Sequence, residues 1–314
     1  MPIEGFIVEA PGMLWIVKGC YQPQHYVIAL PRYSYVGSKI PYLDISLAIA
    51  ADMGCITYDE CLKRGVPAVA RSYVSRVLDP RDRFVKRVLS DRAREFLELV
   101  SIEAGVDVDA IGVTGSFLAK TVISAIEPRD LDLIVYGRGV SDRLYHALRR
   151  LRLSGVTKPV SARYFKPGSI SLDSWLRLSE SRVFEGMYRD LHYSIRAVGC
   201  VDEEPCRSDI EVVERVELVV QVVEALSPYT MPYTYRVRVV DVLHDPREVV
   251  HKGMDLYMRS SRMRFSEIPT GLRLHVWTVL TLEDGRKVLD LDRPRTRVEL
   301  VNTFARDVDL HGER

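Results

Sequence analysis

A chain of 314 residues, 47% hydrophobic and 28% charged, has the composition of a folded globular protein and the length of two or three domains. Its 44 basic and 43 acidic side chains leave a net charge of +1, so any nucleic-acid surface must be a local patch and not a global field. No apolar run reaches the ~18–20 residues of a membrane span, and Met1 leads directly into strand-like sequence without a secretory leader. No membrane partner is therefore expected, and a cytoplasmic location is the default. Asn302 is the only Asn while Arg, Glu and Val are abundant, a bias that fits a thermophile.

The first segment, Gly5 to Tyr33, reads as a small antiparallel β unit. Met13–Tyr21 and Tyr26–Tyr33 are β-rich runs joined by the turn signal Gln22-Pro23-Gln24-His25. Pro31 points to an edge strand, because it cannot donate to a ladder. Tyr42–Met53 then reads as a helix, and Thr57–Arg64 as a short one capped by Thr57. Cys55 and Cys61 share a spacing that Cys200 and Cys206 repeat, and neither pair is a CxxC zinc motif. Buried thiols and a thermophile-type disulfide both fit them.

A long helix is predicted from Asp79, as N-cap, to about Ala104, with Pro80 in its first turn and Gly105 ending it. Phe84, Val88, Phe96 and Val100 mark its apolar side. Its Arg-rich face fits either a solvated, ion-paired surface or a phosphate contact.

The stretch Ile111–Gly137 follows, and the chain is organised around it. It reads as a strand (Ile111–Thr114), a Gly115-Ser116 turn, a short helix (Phe117–Ser124) and a second strand (Asp130–Tyr136). Strand side chains alternate, so Asp130 and Asp132 share one face while Leu131, Leu133 and Val135 take the other. Two adjacent carboxylates repel, and their pair is favourable only with a cation between them or a proton shared. Mg²⁺ suits them, since it takes oxygen ligands and keeps positions for phosphate oxygens. The Gly115-Ser116 turn offers backbone N–H groups to an anion. A phosphate cradle beside a carboxylate pair forms the two halves of a metal-assisted phosphoryl or nucleotidyl transfer site.

Gly115-Ser116 followed after a gap by Asp130-Leu131-Asp132, each on a hydrophobic strand, resembles the nucleotidyltransferase motif of the DNA polymerase β superfamily. The N-terminal hairpin, from Gly12-Met13-Leu14-Trp15 through Pro23 to Arg32-Tyr33, and Pro232-Tyr233-Thr234-Tyr235 further on, resemble an archaeal family described as predicted nucleotidyltransferases. That resemblance implies Mg²⁺ on Asp130 and Asp132, with the NTP phosphates on Gly115 and Ser116; Lys120, one helical turn on, either helps neutralise them or points to solvent. It also implies a third carboxylate on a later strand, Leu191–Val198. There the polar positions are His192, Ser194 and Arg196, and Ser194 stands where the acid is expected. Three explanations are open: Asp190 reaches the site, Glu185 or Glu211 comes from a neighbouring segment, or the site lacks the third acid. His192 reads either as a replacement base or as a structural residue.

Between these strands, Val140–Leu153 is an amphipathic helix capped by Ser141. Arg149, Arg150 and Arg152 at its end serve either the helix dipole or a phosphate. Arg163-Tyr164-Phe165-Lys166 combines aromatic and basic residues, as nucleotide stacking requires. Ser171–Phe184 is a further helix, with Trp175 as a core anchor.

From Ile210 the pattern becomes all-β, with strands at Ile210–Glu224, Tyr233–Val242 and Leu272–Leu282. A hairpin turn at Glu283-Asp284-Gly285-Arg286 leads into Lys287–Leu291. The spacing suggests a small barrel of about five strands. Arg236, Arg238, Arg259, Arg262, Arg264, Arg273 and Lys287 would give it a nucleic-acid face, and scaffolding or a dimer contact fits equally.

The expected fold class is α+β: a polymerase-β-like nucleotidyltransferase core (79–205) flanked by an N-terminal β/α unit (1–78) and a C-terminal small β-barrel (206–314). The expected reaction is Mg²⁺-dependent transfer of an NMP from an NTP to a hydroxyl acceptor, nucleic acid among the candidates. The alternative is a catalytically inactive nucleotide- or nucleic-acid-binding protein that kept the fold and lacks the third carboxylate.

Overall fold

β-branched and aromatic runs interrupted by Gly and Pro give the first segment six strands: β1 (Ile7–Ala10), β2 (Met13–Val17), β3 (Tyr26–Ser34), β4 (Ile56–Asp59), β5 (Arg64–Ala70) and β6 (Arg76–Leu78). In the computed structural model, which describes residues 1–41, 43–202, 204–206 and 210–301, they form one sheet in the order β4-β5-β3-β2-β1-β6. Pro31 therefore lies on an inner strand and not at an edge. It is tolerated because β5 pairs only with Tyr26–Ile28, and because the β2 register shifts at Leu14/Trp15, beside Pro31. Helix α1 (Leu43–Asp52) follows β3, and Tyr42, expected to begin it, lies outside the described residues. Thr57–Arg64 is not a helix. It contributes β4 and the turn of a hairpin, where Asp59 Oδ1 accepts from the Leu62 N–H at 2.7 Å and the β-prone Ile-Thr-Tyr run pairs with β5.

The long helix predicted from Asp79 is two helices, α2 (Arg83–Arg87) and α3 (Asp91–Ala104), with a break at residues 88–90. Asp79 instead accepts from the Arg81 N–H, and the N-caps are Asp82 and Ser90, whose side chains accept from Phe84 N and Ala93 N. Phe84 is consequently exposed, while Phe96 and Val100 are buried. The basic face is ion-paired: Arg83 and Lys86 to Asp109, Arg92 to Asp190.

The central stretch gives β7 (Gly112–Val113), α4 (Gly115–Lys120) and β8 (Asp130–Tyr136). Then come α5 (Arg138–Leu153), β9 (Thr157–Lys158), α6 (Leu172–Ser181), β10 (Glu185–Tyr188) and β11 (Leu191–Val198). The second sheet runs β7-β8-β11-β10-β9, with β8 and β11 parallel and the other pairs antiparallel. Leu131, Leu133 and Val135 face the helical side, where α5 buries Leu144, Ala147, Leu148 and Leu151 and packs on β8 and β11. Phe96 of α3 meets the Tyr193 ring of β11 at 4.5 Å. Arg152, at the end of α5, donates to the carbonyls of Arg182 and Glu185, an architectural role.

The remaining strands are β12 (Ile210–Ser227), β13 (Thr230–Met231), β14 (Tyr233–His244), β15 (Asp255–Ser260), β16 (Arg273–Glu283), β17 (Arg286–Asp290) and β18 (Arg297–Leu300). β13 joins the second sheet beside β11. The order β12-β14-β15-β17-β16, closed by pairing of β16 with β12, makes a five-stranded barrel with β18 added on β16. Register shifts along β12–β14 supply the bends that closure needs. Alternate residues of β12, Val216, Leu218, Val220 and Val222, fill its interior. On its surface Arg236 is paired with Glu224 and Asp255, Arg238 with Asp255, and Arg259 with Glu283.

The chain is mixed α+β, mostly sheet with a few helices. Three sheets form, and the chain divides into two compact units: Met1–Tyr164 with Arg182–Ile210 and Tyr229–Met231, and Phe165–Ser181 with Glu211–Pro228 and Pro232–Arg314. The division separates Tyr164 from Phe165 and Lys166, so the aromatic-basic run is not one surface of one unit. No described helix is long and apolar enough to cross a membrane.

Disulfides Cys20–Cys200 and Cys61–Cys206 tie the first sheet to the chain beyond β11, and Cys55 is a free thiol. They close loops with sequence separations of 180 and 145 residues, so they restrict the unfolded chain strongly. A thiol assay on the oxidised protein should count one cysteine, and five after denaturation with reductant. Reduction should lower the melting temperature; a count of five without reductant would contradict both bridges.

Candidate active site

Asp130 and Asp132 open β8 on the face opposite the helices, both partly exposed. Parallel pairing with β11 sets His192 beside Asp130 and Ser194 beside Asp132. Ser194 Oγ donates to Asp132 Oδ1 at 2.6 Å. Lys39 Nζ, in the segment after β3, lies 3.3 Å from Asp130 Oδ1. Tyr33 is buried close by; its burial, followed by the charges of Asp132 and Asp130, pushes its hydroxyl pKa up.

Gly115 has φ +65°, and a Cβ built there would collide with Asp132 Oδ2 and lie 3.1 Å from Asp132 Cβ and Cγ. Only glycine lets the turn approach the carboxylate this closely. Ser116 is 2% exposed, and its Oγ has no hydrogen-bond partner among the described residues. Lys120 is the last residue of α4 and half-buried. Gly115, Ser116 and Asp132 are thus brought together, and Asp130 shares the face of Asp132.

The candidates for a third carboxylate separate clearly. Asp190 is exposed and held by Arg92 of the α3 helix. Glu211 belongs to the other compact unit. Glu185 of β10 pairs in register with Ser194, so Glu185, Ser194 and Asp132 form a row across three strands. Its Oε2 is 2.6 Å from Arg182 Nη1 and its Oε1 is 3.5 Å from His192 Nε2. Burial opposes ionisation, but His192 and Arg182 outweigh it and hold the Glu185 carboxyl at about 2. His192 stacks on Tyr164 with ring centroids 4.1 Å apart, and its Nδ1 has no hydrogen-bond partner among the described residues. Among the described residues no group of three or more His, Cys, Asp and Glu side chains is placed to hold a metal. A metal here would have two carboxylates, with substrate oxygens and water completing its shell. The glycine contact and the orphaned Ser116 hydroxyl fit a site completed by a ligand.

Sequence reading missed what the N-terminal segment does to this face. Gly5 has φ +88°, and a Cβ on it would collide with Ile134 Cδ1 of β8. Thr114 Oγ1 donates to the Gly5 carbonyl at 2.5 Å, and the Tyr136 hydroxyl donates to the Glu4 carbonyl at 2.8 Å. Glu4, 2% exposed, pairs with Arg196 of β11 and with Lys18 Nζ at 3.2 Å, and accepts from the Gly19 N–H at 2.6 Å. Burial opposes its charge, yet Lys18, Arg196 and that N–H hold it at about 2. The available signal was a lone acid among apolar residues in Pro-Ile-Glu-Gly-Phe, which needs a buried cation.

Gly115→Ala should cost about 1–3 kcal/mol in urea denaturation, from positive φ and collision with Asp132. Gly139→Ala, where a Cβ meets nothing within 4 Å, should not destabilise. Glu4 and Glu185 ionise in the fold at about 2, against 4.5 ordinarily. Their stabilisation is therefore complete above pH 4.5 and is lost as pH falls toward 2. Melting temperatures should fall across that window, and less steeply in Glu4→Gln.

No family model, curated protein or solved structure matches this chain.

Proposed function

We propose that the protein is a Mg²⁺-dependent nucleotidyltransferase that moves a nucleoside monophosphate from an NTP to an acceptor hydroxyl and releases pyrophosphate. One observation carries the reading: two carboxylates share a face of β8, and a glycine turn with an orphaned serine hydroxyl is pressed against one of them. The antiparallel β7–β8 pair and the parallel β8–β11 pair support a polymerase-β-like core as the finer fold assignment. Asp130 and Asp132 would hold Mg²⁺, which when bound supplies Lewis-acid charge to phosphate oxygens. The N–H groups of Gly115 and Ser116, with the Ser116 hydroxyl, would receive the β and γ phosphates, and Lys120 would add charge. Lys39 screens Asp130 until a cation takes its place. Nucleic acid is one class of acceptor with a suitable hydroxyl.

Ser194 favours a second reading. Donating to Asp132 from the position expected of a third carboxylate, it suits an inactive nucleotide- or nucleic-acid-binding protein.

Calorimetric titration of the four NTPs with and without Mg²⁺, alongside labelling of acceptors from α-labelled NTP, separates the two. Transfer that Asp130→Asn/Asp132→Asn abolishes supports the enzyme. Mg²⁺-dependent binding without transfer supports the second reading; no nucleotide binding by the wild type would reject the enzyme and leave only nucleic-acid binding, which titration with single-stranded oligonucleotides would then test.

A further inference from the structure

The arginines of the barrel surface fall into two groups. Arg236, Arg238 and Arg259 are held by carboxylates. The outer face of β16 differs. There Arg273, His275 and Trp277 alternate with the buried Leu274 and Val276, so the three share that face. Arg215 of β12 and Arg297 of β18, strands that both pair with β16, lie over the half-buried Trp277 ring. Their Cζ atoms are 5.7 and 5.5 Å from its centroid, and Arg297 is the cross-strand partner of Trp277. Arg215 Nη2 donates to the Pro294 carbonyl at 3.0 Å, which brings the exposed Arg295 to the same cluster.

Among the described residues none of Arg215, Arg273, Arg295 and Arg297 has a carboxylate partner. The neighbouring acids are already engaged. Glu217 meets His275 Nε2 at 2.8 Å, and Glu299 accepts from the Ser171 N–H at 3.0 Å and the Ser174 hydroxyl at 2.7 Å. A guanidinium stacks through its flat face, whereas its N–H donors lie in the plane and point outward from its edge. Stacking on Trp277 therefore fixes two cations and leaves most of their donors unspent. Arg215 Nη1 is buried without a hydrogen-bond partner among the described residues, a donor that a ligand oxygen would satisfy. Fixed cations beside an indole suit a ligand that carries phosphates with flat rings between them.

We propose that this face of the barrel binds single-stranded nucleic acid, with Arg215, Arg295 and Arg297 on the phosphates and Trp277 stacking a base. A duplex keeps its bases stacked on one another and would offer this face its phosphates alone. The surface lies wholly within the barrel's own unit, so it does not depend on the reading of Asp130 and Asp132.

Titration with a labelled single-stranded oligonucleotide of mixed sequence, read by its anisotropy and by tryptophan fluorescence, tests the surface. Of the three Trp, Trp15 and Trp175 are buried, so quenching by a stacked base reports Trp277. Wild type should bind with quenching. Trp277→Ala should weaken binding about tenfold at unchanged salt dependence, the loss of one stacked base. Arg297→Gln should weaken it and lower the slope of log affinity against log salt by about 0.7, one phosphate contact on a single strand. Arg238→Gln, whose guanidinium is spent on Asp255, should match wild type; melting curves show that each variant is folded. Asp130→Asn/Asp132→Asn should retain binding whether or not nucleotidyl transfer is observed, and its loss there would move the strand to the carboxylates and overturn the assignment. Unchanged affinity in both Trp277→Ala and Arg297→Gln, or no binding by wild type, would overturn it too. So would a duplex or inorganic polyphosphate bound as tightly as the single strand, which would make the face a site for polyanions at large.

Discussion

Shifting β8 by one residue against β11 would turn Asp130 and Asp132 toward the helices and Leu131 and Leu133 toward solvent. The observed register prevents this through both faces at once. On one side Leu131, Leu133 and Val135 are buried beneath α5. On the other, Ser194 reaches Asp132, and the Gly115 turn fits against the same carboxylate. The site depends on this parallel pairing, because it sets Ser194 beside Asp132 and holds both carboxylates on the face that the Gly115 turn and Lys39 approach.

The N-terminal sheet is bound to that face by a charge that water cannot reach. A carboxylate at the burial of Glu4 is tolerable only with cations at hand, and these come from β11 and from the turn after β2. The same pairing therefore sets the position of the first sheet against β8 and β11. Residues 1–78 accordingly fall in the same compact unit as β7, β8 and β11.

What the sequence revealed follows the range of the forces involved. Strands β8 and β11 were legible to the residue, because alternation within a half-buried strand is a local signal, and the β16–β17 hairpin was legible to within one residue at each strand end. Asp130, Asp132, Gly115 and Ser116 were legible as a spacing. The break between α2 and α3 was hidden because Asp82 and Ser90 are caps within a run that otherwise reads as helix. Thr57–Arg64 was misread for the converse reason: its β pairing comes from β5, not from its own periodicity. Glu4, Lys18 and Arg196 left almost no trace, since the partners are up to 192 residues apart and nothing local records their meeting.

The two disulfides interleave along the chain: Cys20 and Cys61 open before Cys200 and Cys206 close them in the same order. During synthesis Cys20, Cys55 and Cys61 emerge together, long before either correct partner exists. An oxidant acting on that nascent chain can join only the wrong thiols. Native pairing thus requires that oxidation wait until the second sheet has been made, or that an early bridge be reshuffled. The order in which this molecule meets its oxidant is therefore part of how it acquires its fold.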